Sequence, residues 1–246
     1  MSELIVLGSC GAWPEAGRAC AGFLLTHQGF RVVLDLGFGT LPRLLAQCQD
    51  GAVDAVIVTH EHPDHCVDVT GLARVRHYLA PDEPPIPLHT TPGTLRRLEV
   101  LEPRPHPATV FAVHELGPPR QLGPFRLTAF PLPHYVPTFG IRLDAPGLSV
   151  AYTGDTGPSP ALTDLARDAD LLICEATLQA DPPGGEPRYL MTAADAGRLA
   201  TLANVKTLLL THFWPGSDRA VSLAQARAEF AGTILTAEED ALIPLP

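Results

Sequence analysis

The segment His60-Glu61-His62-Pro63-Asp64-His65 packs three histidines and two carboxylates into six residues directly after an apolar run. Imidazole nitrogen and carboxylate oxygen are the ligand atoms that suit zinc and its first-row neighbours. The proline predicts a turn, from which the side chains can converge on one point. Three histidines and Asp64 are too many for one tetrahedral ion with a position left open. Divided between two ions, they make sense.

The preceding run, Ala52 to Val58, reads as a buried strand, and open-faced sites form at the C-terminal ends of such strands. Three further ligand-type residues occupy analogous places. His134 follows the strand expected over 125–130, Asp155 follows the one over 148–153 inside Thr153-Gly154-Asp155-Thr156-Gly157, and His212 follows the one over 207–210. Alone, each reads as an ordinary surface residue or, for Asp155, an Asx-turn former. Their shared placement at strand ends makes them a set. His27, His77, His89, His106 and His114 lack such neighbours and read as non-ligands. Cys66 reads as a packing residue, Arg96-Arg97 as a solvated helix face, and Trp214 as either core or cleft lining.

The elements that must hold these residues are short, as 26 prolines and 21 glycines imply. Strands are expected at 3–7, 22–26, 31–35, 52–58 and 88–90, with helices at 40–49, from the histidine turn to about 79, and at 94–101. The second half repeats the scheme. Its strands fall at 109–113, 125–130, 139–143, 148–153, 171–174, 207–210 and near 233, its helices at 160–167, 192–203 and 222–230, and a Gly/Pro loop at 181–187. Strands followed by strands with helices, twice over, predict two mixed sheets face to face with helices outside. No linker divides the halves, so the reading is one domain over 1–246.

Composition excludes several partner classes. Seventeen basic residues against 27 acidic ones give a net charge of -10, and Lys206 is the only lysine. That argues against a basic track for long nucleic acid and against a polybasic membrane anchor. No apolar run approaches the roughly 18–20 residues of a membrane span, and Leu4 to Leu7 is too short for a signal-peptide core. Five scattered cysteines without a C-x-x-C pair predict reduced thiols and a cytoplasmic protein.

Thr59 to His65, followed in order by His134, Asp155 and His212, resembles the metallo-β-lactamase superfamily. The flanks are most similar to its ribonuclease Z and cyclic-phosphodiesterase branch: Gly8-Ser9-Cys10-Gly11, Tyr152-Thr153-Gly154-Asp155-Thr156 and Cys174-Glu175-Ala176-Thr177. The resemblance implies a four-layer αββα sandwich of α/β (α+β) class with two divalent metal ions, zinc first and manganese or iron as alternatives. It implies one ion on His60, His62 and His134, the other on Asp64, His65 and His212, and Asp155 bridging both. It further implies a water activated by the metals as nucleophile, Asp64 as a general base, and Glu175 assisting the leaving group or the phosphate. Two dications, two aspartates and one hydroxide sum to roughly +1, which suits a small anionic phosphodiester. A homodimer is common in the family and stays open.

Two departures from ribonuclease Z matter. The branch places a histidine in a His-x-Thr-Ala segment, where this chain has Leu190-Met191-Thr192-Ala193 with Tyr189 before it. The protruding Gly/Pro-rich arm that grips tRNA finds no room here. Both weigh against tRNA 3′-end processing and toward small or cyclic diesters. Thioester or lactam hydrolysis on the same fold, and metal binding without turnover, are the other readings. Retention of all seven ligands opposes the last, since a structural site needs four.

Overall fold

The computed structural model describes residues 2–180 and 188–246, so the loop expected at 181–187 lies outside the described residues. The chain divides into two compact units, Met1–Leu116 with Glu238–Pro244, and Gly117–Ala237 with Leu245–Pro246.

In the first unit β1 (Ser2–Gly8), β2 (Gly22–His27) and β3 (Phe30–Leu36) run antiparallel. The hairpin between β2 and β3 turns on Gln28 and Gly29, both at positive φ (53° and 83°), which matches the right-handed twist of the strands it joins. After α1 (Leu41–Gln47) the chain changes habit. Strands β4 (Ala55–Ile57), β5 (Ile86–Thr90) and β6 (Phe111–Glu115) add in parallel. Between them come α2 (Pro63–Cys66), α3 (Val69–Leu79) and α4 (Pro92–Leu101). The apolar stripe of α3 is Val69, Leu72 and Ala73, at helical spacing. It shares a core with Leu44 of α1, Leu98 of α4 and the strand residues Leu24, Val33, Val56 and Leu88.

The second unit repeats this grammar. Strands β7 (Arg120–Leu122), β8 (Phe125–Leu132), β9 (Thr138–Ala145) and β10 (Leu148–Tyr152) are antiparallel. Then β11 (Leu171–Glu175), β12 (Thr207–Thr211) and β13 (Thr233–Thr236) continue in parallel from β10. Helices α5 (Ala161–Ala166), α6 (Ala193–Leu202) and α7 (Arg219–Glu229) intervene. Leu162, Leu165, Ala196, Leu199 and Ala226 of these helices pack with Leu172, Leu208 and Leu210. A last strand, β14 (Leu242–Leu245), joins the first sheet beside β1, so each of the two sheets has seven strands.

The two mixed sheets with helices are the architecture expected from the sequence. Two strands were not read there, β7 and β14. The first is three residues long, and the second contains Pro244, which confines a strand to a sheet edge. The helix expected after the histidine turn is α3, and the turn itself contains the single helical turn α2. None of the five cysteines, all buried, is in a disulfide. Among the described residues no helix is long and apolar enough to cross a membrane.

Candidate metal centre

Strands β4, β8, β10 and β12 lead into the loops that carry the ligand-type residues, where the ladder stops and side chains can turn off the sheet edge. In the first unit β4 leads directly into Thr59 and His60, and α2 carries Asp64 and His65 on its single turn. Asp68 holds this segment in place: its amide donates to the Leu36 carbonyl at 3.0 Å and its carboxylate accepts from the Leu41 amide at 2.9 Å. Close approach does the rest, for a Cβ on Gly37 would lie 1.8 Å from the Asp64 carbonyl oxygen. Only glycine lets the chain leaving β3 pass so near α2.

Asp35, at the end of β3, organises the first set. It is fully buried and stands at φ +55°, a left-handed conformation that costs energy for a residue with a Cβ. One carboxylate oxygen accepts from the Thr59 amide at 2.7 Å. The other accepts from the Thr59 hydroxyl at 2.9 Å and meets His65 Nδ1 at 2.7 Å. A carboxylate offers no proton, so His65 Nδ1 is the donor and its lone pair is on Nε2. The same logic passes through Thr59. Its hydroxyl proton goes to Asp35, so His60 Nδ1, 3.0 Å from that oxygen, must donate to it, leaving His60 Nε2 bare. His62 Nδ1 faces that nitrogen at 3.1 Å, and the His60 and His65 rings lie 4.2 Å apart. Asp64 Oδ2 sits 3.6 Å from His65 Nε2 and accepts from the Ala12 amide at 2.7 Å.

The second unit builds its set the same way. His134, beyond β8, has Nδ1 2.8 Å from the Tyr189 carbonyl, which can only accept. Beyond β12, His212 takes φ +55°, and its Nδ1 lies 2.8 Å from the Thr177 hydroxyl. With Glu175 ionised, Thr177 donates onward to it at 2.5 Å and His212 Nδ1 donates in turn. Both histidines therefore present Nε2 lone pairs, and Asp155, after β10, faces them at 3.7 Å (His134) and 3.2 Å (His212). Glu175 is fully buried and receives the Thr156 amide at 2.5 Å and the Met191 amide at 3.1 Å as well. Met191 is positioned by the capping box of Thr192 and Asp195 that starts α6. Burial first, and the nearby Asp155 carboxylate second, push the Glu175 carboxyl up to about 8.

This donor chemistry fits divalent metal. Bare imidazole nitrogens turned toward buried carboxylates repel one another unless a cation lies among them. Second-neighbour acceptors on the far ring nitrogen are how proteins fix a metal-binding histidine. Within each unit the predicted ligands come together: His60, His62, Asp64 and His65 in the first, His134, Asp155 and His212 in the second. These histidines and aspartates are capable of binding metal ions.

The five remaining histidines make other contacts. His89 stacks on His114 at 4.9 Å, His106 accepts from the Ala108 amide at 3.2 Å, and His27 pairs with Ser2 at 2.9 Å. His77 lies against the Tyr78 ring at 4.8 Å. Arg97 reaches Glu61 at 3.4 Å rather than facing solvent alone. Cys66 packs in the core, where burial pushes its thiol up to about 12. Sequence reading missed Asp35 and Thr177. The signal for Asp35 was there: a carboxylate inside the apolar run Val32-Val33-Leu34-Asp35-Leu36 has to find buried partners.

Comparison with known proteins agrees with this chemistry. A family model described as a beta-lactamase superfamily domain matches residues 30–213. The probable metallo-hydrolase YhfI of Bacillus subtilis is 29% identical over 85% of this chain and 86% of its own length. Its crystal structure, of a metallo-beta-lactamase fold protein, aligns with a TM-score of 0.89 at 26% identity, covering 99% of this chain and 100% of that one. Ribonuclease Z of Kineococcus radiotolerans is 31% identical over 99% of this chain and 95% of its own. The short form of human tRNase Z aligns with a TM-score of 0.81 at 26% identity, covering 99% of each chain. The chain thus belongs to the beta-lactamase superfamily and has the metallo-β-lactamase fold that its histidine turn led one to expect.

Proposed function

We propose that this chain is a dinuclear metal-dependent hydrolase of phosphodiesters, small or cyclic nucleotide-like, acting as one domain over residues 1–246. The observation that carries the reading is the fixed tautomer of His60, His65, His134 and His212, each with Nδ1 tied to a neighbour and Nε2 left as a donor. In this reading one ion would be held by His60, His62, His134 and Asp155, and the other by Asp64, His65, Asp155 and His212. Zinc is the expected metal, with manganese or iron suited to the same ligands. When bound, two dications set against Asp64 and Asp155 leave a net positive centre that attracts an anionic diester, polarises its phosphoryl oxygen and activates a water. Asp64 accepts the nucleophile's proton as general base. Glu175 acts through Thr177, keeping the His212 proton on Nδ1.

The relatives named ribonuclease Z and tRNase Z support phosphodiesters over other esters. They also favour a second reading, endonucleolytic cleavage of RNA. A net charge of -10 with one lysine weighs against gripping a long polyanion.

The test pairs elemental metal analysis with hydrolysis of bis(p-nitrophenyl) phosphate, whose leaving group needs no protonation. About two metals per chain with clear turnover is the expected result. Metal without turnover sinks the phosphodiesterase reading, and no metal after reconstitution sinks the whole assignment.

Leu190 marks a difference within the reaction. It lies between Tyr189, whose carbonyl holds His134, and Met191, whose amide holds Glu175. The branch's histidine at this place is a proton donor that the chain lacks. Leu190→His is expected to raise turnover of a diester with an alkoxide leaving group at least several-fold, on the scale of general acid catalysis at roughly 10²-fold. Unchanged turnover would show that Leu190 does not stand in for a lost acid.

A further inference from the structure

Two residues beyond His212 the chain makes a stiff turn, Trp214-Pro215-Gly216-Ser217, closed by the Ser217 amide donating to the Trp214 carbonyl at 3.0 Å. Proline at the second position and Gly216 at φ +80° at the third give the type II geometry. The turn holds Trp214 with 44% of its surface exposed. An indole in water is apolar area that a partner could cover favourably.

Against it lies an open cavity of about 300 Å³ lined by Thr177, Leu178, Gln179, Trp214 and Ser217. None of the described lining side chains is charged, which suits a neutral flat group better than a second phosphate. Its wall is rigid, since the Gln179 amide nitrogen donates to the Asp218 carbonyl at 2.6 Å and meets the Ser222 hydroxyl at 3.0 Å. Trp214 follows His212 by two residues, and Thr177 in the cavity wall contacts the Nδ1 edge of the His212 ring at 2.8 Å, the edge opposite the Nε2 offered to metal.

We propose that Trp214 is the stacking platform for the base of a nucleotide phosphodiester, and that this cavity sets preference for the nucleoside side of the substrate. The proposal rests on the phosphodiesterase reading above. Every base has a π-face, and loss of one base–aromatic stack costs on the order of 10- to 100-fold in affinity.

The test compares two esters that share a leaving group, the p-nitrophenyl ester of adenosine 5′-phosphate and methyl p-nitrophenyl phosphate. The metal-loaded protein is expected to favour the nucleoside ester at least ~10-fold in kcat/KM, and Trp214→Ala to bring that ratio near one, chiefly through KM. Trp214→Phe keeps a π-face and should restore much of the preference. A ratio that Trp214→Ala leaves intact overturns the proposal and leaves the phosphodiesterase reading standing. Failure to cleave either ester overturns that reading instead, and binding then decides this one. The chain has two tryptophans, so Trp13→Phe makes Trp214 the only indole. Its emission should be quenched by adenosine 5′-phosphate and not by ribose 5-phosphate or inorganic phosphate. Equal responses to all three overturn the platform.

Discussion

Asp35→Ala should lose metal and activity together, although Asp35 is not itself one of the ligands. The substitution leaves the Thr59 amide, the Thr59 hydroxyl and His65 Nδ1–H without their acceptor at a fully buried position. Each unsatisfied buried donor costs about 1–3 kcal/mol, so a drop in melting temperature is expected as well. Asp35→Asn separates the two effects. The amide fills the same volume, and its oxygen can still serve the Thr59 amide. Its NH2 group then faces His65 Nδ1 and favours the tautomer with the proton on Nε2, the nitrogen needed for metal. Fold stability should largely return in Asn while metal affinity stays low, by the ~10–100-fold typical of lost outer-shell partners. Thermal melts and metal titration of both variants check this. Wild-type metal affinity in Asp35→Asn would refute the tautomer argument.

Asp155→Ala has the largest effect expected at the centre. Its carboxylate faces Nε2 of both His134 and His212, and it is the one residue assigned to both ions. Its removal takes a ligand from each site and a negative charge from between them. Metal content should fall from about two per chain to below one, and diester hydrolysis by on the order of 10³-fold, about 4 kcal/mol of barrier. Elemental analysis after dialysis against a weak chelator, with residual turnover, provides the measurement. Full metal occupancy in this variant would break the two-ion assignment.

The residues that could ligate metal were legible because their types are rare in apolar runs and their positions recur at strand ends. His60, His134, Asp155 and His212 each follow a strand that the apolar pattern identifies. Both sheets were legible for the same reason, since buried parallel strands such as Ala55–Ile57 read as continuous apolar runs. What the pattern hid is the layer behind the ligands. Asp35 lies within a strand, and its role depends on contacts 24 and 30 residues away in sequence. Thr177 is 35 residues from the histidine it orients. Periodicity carries no information about such pairings; they exist only once the strands are in register. Strand β14 escaped because a proline edge strand is too weakly patterned to separate from loop.

The histidines differ in how easily mutation can dislodge them. His65 and His60 hang on one carboxylate, Asp35, and His212 hangs on Glu175 through Thr177, so a single codon change can undo either arrangement. His134 is tethered to the main-chain carbonyl of residue 189, which any amino acid supplies. Position 189 can therefore drift in side chain without disturbing the ligand that depends on it. A new side chain at 189 leaves its tether in place, whereas a change at 35 or 175 releases the histidines those carboxylates hold.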